Sequence, residues 1–354
     1  MSSNGGPTSF ALSCPAPLAT TDRVLLGHGS GGKMTVDLIA RYFLPAFRNS
    51  YLERLDDQAV LNLAGGRLAF TTDAHVVTPL FFPGGDIGML AVNGTVNDLA
   101  MAGARPLYLS AAFILEEGFP LADLSRIVES MSAAAKNAGV LLVTGDTKVV
   151  DRGKADGCFI TTSGVGIIEH DQQITATGAR PGDLVILSGA IAEHGMTIMA
   201  ARAELEVESP VASDSMPLHE MVLEMLEAGA EIHCLRDPTR GGVATALNEI
   251  ARQSGVGMVL EEDAILLREP VRGICELLGF DPLYVANEGK LLAIVEPRSA
   301  EGVLAAMRRR AEGRDARVIG EVTEDPDRLV VLKTRVRGRR IVDMLQGDQL
   351  PRIC

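Results

Sequence analysis

Helical and strand spacing alternate along this chain, and that alternation restricts its fold more than any single motif does. Leu121, Leu124, Ile127, Val128 and Met131 recur at helical spacing, Gly139 follows as a left-handed stop, and Val140 to Val143 reads as a strand. A helix feeding a sheet follows from that order. Leu218, Met221, Val222, Met225 and Leu226 repeat the pattern ahead of Gly229, and Val243 to Arg252 predicts another helix closed by Gly255. Strands are predicted at Leu68 to Thr72, Phe159 to Thr162, Leu184 to Leu187, Leu291 to Val295 and Leu329 to Leu332. Mixed elements throughout make this an α/β chain of the α+β type.

At 354 residues and 47% hydrophobic content, the chain exceeds what one core usually holds, so two domains are expected. Ala179 to Asp183 has turn composition and opens a second unit, which puts the boundary near residues 170–178. The division is then a disordered leader over 1–21, one domain over 22–172, a second over 173–334 and a mobile tail over 335–354. Lys333, Arg335, Arg337, Arg339 and Arg340 make the start of that tail basic. A net charge of -13 argues against a nucleic-acid groove or an anionic membrane surface. Apolar runs such as Leu107 to Leu115 fall short of the roughly 20 residues a membrane helix needs. Cys14, Cys158, Cys234, Cys275 and Cys354 are far apart and form no CxxC, so neither a disulfide framework nor a zinc site is indicated, and a reducing cytoplasm is the default.

Cys354 is the last residue, preceded by Leu350, Pro351, Arg352 and Ile353. A thiolate is the attacking form of sulfur, and a chain end is able to visit more than one place. Cys354 is therefore a candidate covalent carrier, with the adjacent carboxylate raising its pKa and Arg352 opposing that.

Gly27 to Lys33 forms a glycine-rich loop whose backbone N–H groups could approach a phosphate, with Lys33 entering a helix over Met34 to Tyr42. Met34 stands where a standard P-loop needs Ser or Thr for magnesium. Asp56, Asp57, Asp73, Asp98, Asp146 and Asp237 punctuate strand ends and turns. Thr71 to His75 and Thr144 to Lys148 each place oxygen ligands after a strand, an arrangement that suits a magnesium–nucleotide site better than a zinc site. Asp237 to Gly242 combines a hydroxyl, a guanidinium and open backbone donors ahead of a helix, which is anion-binding chemistry. Asn93, Asn97 and Asp98 interrupt an apolar helix over Leu90 to Gly103, either as a face turned to water or as a polar stripe beneath a nucleotide.

These stretches together closely resemble the HypE family of nickel-iron hydrogenase maturation proteins, within the aminoimidazole ribonucleotide synthetase superfamily. The resemblance is carried by Gly27 to Lys33, Asp56 and Asp57, Thr71 to Gly88, Ala91 to Ala104, Thr144 to Val149, Asp237 to Gly242 and Pro351 to Cys354. It covers most of the chain beyond Thr21. It implies a two-domain PurM-like architecture, in which the N-terminal domain forms a homodimer and holds ATP with Mg2+, and a C-terminal α/β domain covers the cleft. Cofactor contacts are implied at Gly29, Ser30, Gly31, Gly32, Lys33, Asn93, Asn97, Thr239, Arg240 and Gly241, and metal contacts at Asp57, Asp73, Asp98 and Asp146. Cys354, Glu288, Lys148 and, in second rank with His28, His75 are the implied catalytic groups.

The activity the resemblance implies is dehydration of a carbamoyl group on Cys354 to a thiocyanate, after loading by a HypF-type carbamoyltransferase. Cyanide would then pass to iron on a HypC–HypD complex. Two other readings stay open: an ATP-dependent ligase or kinase of the same superfamily, and a non-enzymatic thiol carrier or scaffold. Fully extended, residues 337–354 would span roughly 55 Å, enough to reach from a cleft to a partner.

Overall fold

A computed structural model describes residues 32–47, 49, 52–63, 65–205, 211–345, 350 and 352–354. The expected leader and the first part of the glycine loop, including His28, Gly29, Ser30 and Gly31, lie outside the described residues.

The strands are β1 (Ala59–Leu63), β2 (Gly66–His75), β3 (Phe81–Phe82), β4 (Gly85–Asp86), β5 (Ala104–Glu116), β6 (Leu141–Val150), β7 (Cys158–Ile168), β8 (Leu184–Leu187), β9 (Ile232–Arg236), β10 (Gly257–Glu261), β11 (Leu292–Val295), β12 (Arg317–Thr323), β13 (Val330–Lys333) and β14 (Arg339–Ile341). The α-helices are α1 (Lys33–Leu38), α2 (Leu44–Phe47), α3 (Ile87–Met101), α4 (Leu121–Asn137), α5 (Glu193–Arg202), α6 (His219–Glu227), α7 (Gly242–Ser254), α8 (Glu269–Leu278) and α9 (Ala300–Arg309). Every strand and helix predicted within the described residues is present, several running longer than their sequence signals, except that the helix expected over Met34 to Tyr42 is α-helical only to Leu38 and continues as a π-helix over Ile39–Phe43. Thr71 to His75 and Thr144 to Lys148, read as following strands, are the continuations of β2 and β6.

Two sheets organise the chain. The first has the order β1-β2-β7-β5-β6, with β5 and β6 parallel and the other pairs antiparallel. The second has the order β14-β13-β10-β12-β8-β11-β9, with β10 and β13 its parallel pair. Because β14 pairs with β13 from Lys333↔Arg339 to Val331↔Ile341, the segment expected to be tail from residue 335 first adds a strand to the second sheet.

Helix α3 joins the halves. Its Ile87, Leu90, Ala91, Val92, Val96, Leu99 and Ala100 are all fully buried, so it is apolar around its circumference, as a helix must be when packed on two sides. Burial of each large aliphatic side chain contributes about 1.5–3 kcal/mol. The Asp86 side chain caps its start, accepting from the N–H groups of Gly88 at 2.8 Å and Met89 at 3.0 Å. One side of α3 lies on β2, β5 and β7, and another meets α6 of the second half.

Asn93 and Asn97 are buried here rather than facing water. Asn97 Nδ2 donates to the carbonyls of Met216 at 3.0 Å and Glu288 at 3.2 Å, and its Oδ1 accepts from Leu218 N at 2.8 Å. Asn93 Nδ2 donates to Ser215 Oγ at 3.1 Å. A hydrophobic contact tolerates sliding, whereas these bonds fix how the second half is docked on α3.

Candidate active site

Five stretches of chain and the last residue meet at a cavity of about 190 Å³ lined by Asp57, Asp73, Ala74, His75, Gly94, Asp98, Asp237, Thr239, Arg240, Glu288 and Cys354. Asp57 precedes β1, Asp73 and His75 sit at the end of β2, and Gly94 and Asp98 lie on α3. Asp237 to Arg240 form the β9–α7 turn, and Glu288 precedes β11. That turn needs glycine at Gly241 and Gly242, whose φ angles are +77° and +61°. A Cβ on Gly241 would also fall 2.2 Å from Thr245 Oγ1. The sequence thus places Arg240 at a bend no other residue type permits.

The cavity concentrates carboxylates. Burial drives Asp98 well above the usual range, and repulsion from Asp73, Asp237 and Asp57 adds to the shift, against a 2.7 Å hydrogen bond from Thr71 Oγ1. Burial raises Asp237 to about 6 despite Arg236, with Asp73 also pushing it up. Burial raises Asp57 although Arg236 Nε lies 3.1 Å from its Oδ1. Glu288 is raised by burial and then by Asp237, Asp73 and Asp214, with Arg240 opposing, and its Oε1 has no partner among the described residues. His75 is lowered by burial and held neutral; its Nε2 lies 3.6 Å from Asp73 Oδ2 and 3.3 Å from Thr162 Oγ1.

Cys354 completes the wall. Burial drives its thiol upward, Glu288 and Asp73 push the same way, and Glu288 shares a hydrogen bond with it. The guanidinium opposing this shift is that of Arg240. Arg352, expected from sequence to play that part, instead pairs with Asp156. The thiol is therefore protonated at rest, beside a carboxyl group whose own hold on a proton burial strengthens.

Of the residues implicated from sequence, Asp57, Asp73, His75, Asp98, Thr239, Arg240, Glu288 and Cys354 line this cavity, with Gly241 in the adjoining turn. Gly32 and Lys33 sit elsewhere: Lys33 N donates to Leu345 O at 2.8 Å, and Lys33 Nζ pairs with Asp343 Oδ2 at 2.5 Å. Asp146 and Lys148 lie on the exposed edge strand β6, paired with each other at 2.8 Å. Asn93 and Asn97 make the docking bonds described above. Sequence reading missed Asp214, whose Oδ1 accepts from Glu288 N at 3.0 Å and whose Oδ2 accepts from buried Lys290 at 2.9 Å. Nothing local distinguishes Asp214 from a loop carboxylate. Among the described residues no three His, Cys, Asp or Glu side chains converge closely enough to chelate a bare ion. An acidic cavity of this kind suits a cation that keeps its waters and is completed by phosphate oxygens, which is how Mg2+ binds.

The two sheets, the buried α3 and a cavity built from both halves define a two-domain protein of the AIR synthase related class: residues 55–168 match that family's N-terminal domain and residues 180–333 its C-terminal domain. Within that class, the chain is 59% identical over 327 residues to the carbamoyl dehydratase HypE of Azotobacter vinelandii, covering 92% of this chain and 96% of the relative. Solved structures agree. HypE in complex with ATP is 49% identical at a TM-score of 0.79, covering 94% of this chain and 100% of that one. The HypE–HypF complex matches at 48% identity and a TM-score of 0.83, over 87% and 99%. The chain belongs to the HypE family. Among the described residues no helix is long and apolar enough to cross a membrane.

Proposed function

We propose that this protein is an ATP-dependent carbamoyl dehydratase acting on its own Cys354, converting an S-carbamoyl group to a thiocyanate that serves as cyanide donor in nickel-iron hydrogenase maturation. The observation that carries this reading is the placement of the Cys354 thiol beside Glu288 and Arg240 inside an acidic cavity assembled by both domains. A carbamoyl group does not lose water readily, because oxide is a poor leaving group. ATP supplies the remedy by phosphorylating the carbamoyl oxygen, which then departs as phosphate while the amide nitrogen gives up its protons. Positioning and charge neutralisation are what the protein contributes to such a transfer.

Glu288 is the base of this proposal. Its carboxyl group shares a hydrogen bond with the sulfur, and burial together with Asp237, Asp73 and Asp214 strengthens its hold on a proton. Arg240 is placed to neutralise charge developing on the carbamoyl oxygen. Mg2+ would be held by waters and by Asp73 and Asp98, with Asp57 tied more closely to Arg236, and would screen the phosphates from this acidic lining.

A homodimer is part of the proposal. The outer face and edge of the first sheet expose Phe70, Tyr108, Ile114, Leu141, Val143 and Val149, between 40% and 66% accessible, an apolar surface that a second copy would cover. Dimerisation would also carry the second subunit's β6, with its Asp146 and Lys148, toward the nucleotide. A HypF-type carbamoyltransferase as loading partner and a HypC–HypD complex as acceptor, in the reducing cytoplasm that keeps Cys354 a thiol, complete the reading.

Intact-mass analysis of the Cys354 peptide tests it. Incubation with the carbamoylation system should add the mass of HNCO, and ATP should then remove one water. Cys354→Ala should give neither change, and a shift that survives in that variant refutes the proposal.

A further inference from the structure

The end of the chain is held in the cavity by contacts that the chemistry itself does not use. Cys354 O accepts from Val76 N at 3.0 Å and Arg352 O accepts from Thr78 N at 3.2 Å, so the last residues lie antiparallel to the segment leaving β2. Ile353 between them is buried, and His194 Nε2 donates to its carbonyl at 2.7 Å. At Arg352 these contacts concentrate into a four-residue cluster. Arg202, the last residue of α5, donates through Nε to Thr78 O at 2.5 Å and through Nη2 to Arg352 O. Asp156, in the turn between β6 and β7, accepts from Thr78 Oγ1 at 2.8 Å and pairs with the Arg352 guanidinium. Arg352 is thus gripped at backbone and side chain while its φ is +51°, a left-handed conformation that costs a non-glycine residue free energy.

We infer that Arg202 and Asp156 form a latch: positioning residues, one from each domain, that hold Arg352 and so seat the Cys354 thiol against Glu288. The need for a latch follows from access. In the seated state Cys354 is only partly exposed, recessed in the wall of a cavity that both domains build, so an enzyme that loads the sulfur meets it best when the end of the chain has left. A grip made of charge-assisted hydrogen bonds can open without disturbing either core, because Asp156 is exposed and Arg202 only partly buried. The strain at Arg352 favours release once either partner lets go. Register is set at the same point: the two main-chain bonds lie two residues apart on each strand, so clamping Arg352 fixes which residue reaches the cavity.

This inference deepens the proposed dehydratase reading, but its test requires neither ATP nor a carbamoyl group. The full-length protein is treated with iodoacetamide, and alkylation is followed on the Cys354 peptide and on the peptides carrying Cys158, Cys234 and Cys275, all buried. Arg202→Ala and Asp156→Ala should each speed alkylation at Cys354 by about tenfold, the factor for losing one charge-assisted hydrogen bond, and leave the other three thiols protected. Arg202→Lys keeps the charge but not the fork that reaches two carbonyls, and should fall between. Arg105→Ala, which breaks a surface pair with Glu169, should match the wild type. Unchanged Cys354 alkylation in both alanine variants overturns the latch. Alkylation rising at all four cysteines together overturns it as well, since the cluster would then be holding the fold and not the tail. Faster alkylation with an unchanged thiocyanate yield would keep the latch and separate it from catalysis.

Discussion

Lys290 Nζ lies 2.9 Å from Asp214 Oδ2, and both side chains are buried. Asp214 stays ionised because Lys290, His194 and the Glu288 N–H offset its desolvation. Its second oxygen holds the Glu288 backbone, so this ion pair sets where the proposed base stands.

Removing one partner from such a pair leaves the other charged and buried. Lys290→Met should lower unfolding stability by about 3–5 kcal/mol in urea titrations, whereas Lys290→Met combined with Asp214→Leu should recover much of that loss. Recovery of stability without recovery of activity would separate the fold-holding role of the pair from its positioning of Glu288.

Single-turnover dehydration should depend on the ionised form of Glu288. Since burial raises that carboxyl, the rate should fall as pH drops through a value above the ordinary carboxylate range, not near 4. Glu288→Gln should lose about 10²–10⁴ in rate and flatten this acid limb. A wild-type limb at the position of an unperturbed carboxylate would exclude Glu288 as the base.

Asp237 gives the nucleotide-free protein a stability slope of the less common sign. Its pKa in the folded state is about 6, above the unfolded value, so the folded state binds the proton more tightly. The stabilisation is complete below pH 4 and is lost as pH rises through 6, amounting to roughly 2–3 kcal/mol. Asp237→Asn should remove that part of the slope, as read by thermal melting between pH 4 and 7.

Val143, 58% exposed on the edge strand β6, tests the proposed dimer. Val143→Glu should shift the protein to monomer in light scattering while leaving its circular dichroism intact, and dehydration should fall with it. A dimer that survives the substitution would place the interface elsewhere.

How much of this was legible before folding can be judged from particular residues. The Asp237 to Gly242 turn was legible because its geometry is local: two glycines with positive φ bend the chain and present Arg240 beside a helix start. Thr71 to His75 and Thr144 to Lys148 looked alike in sequence, yet β2 carries Asp73 to the cavity while β6 leaves Asp146 at an exposed edge. Strand order separates them, and no local signal encodes it. Asn97 shows the same limit. Its polarity on an apolar helix was evident, but the Met216, Leu218 and Glu288 backbone groups that satisfy it come from the other domain.

The sequence alone determined the alternation of elements, the two-domain division, the family resemblance and a thiol at the last position, because each depends on spacing or on motifs within short stretches. The tertiary structure decided that Cys354 meets Glu288, that Arg352 is bound to Asp156 rather than tuning the sulfur, and that Asp214 and Lys290 stand behind the site. Those outcomes depend on burial and on partners distant in the chain, and only a packed core brings such groups within hydrogen-bonding distance while withdrawing the water that would otherwise screen them.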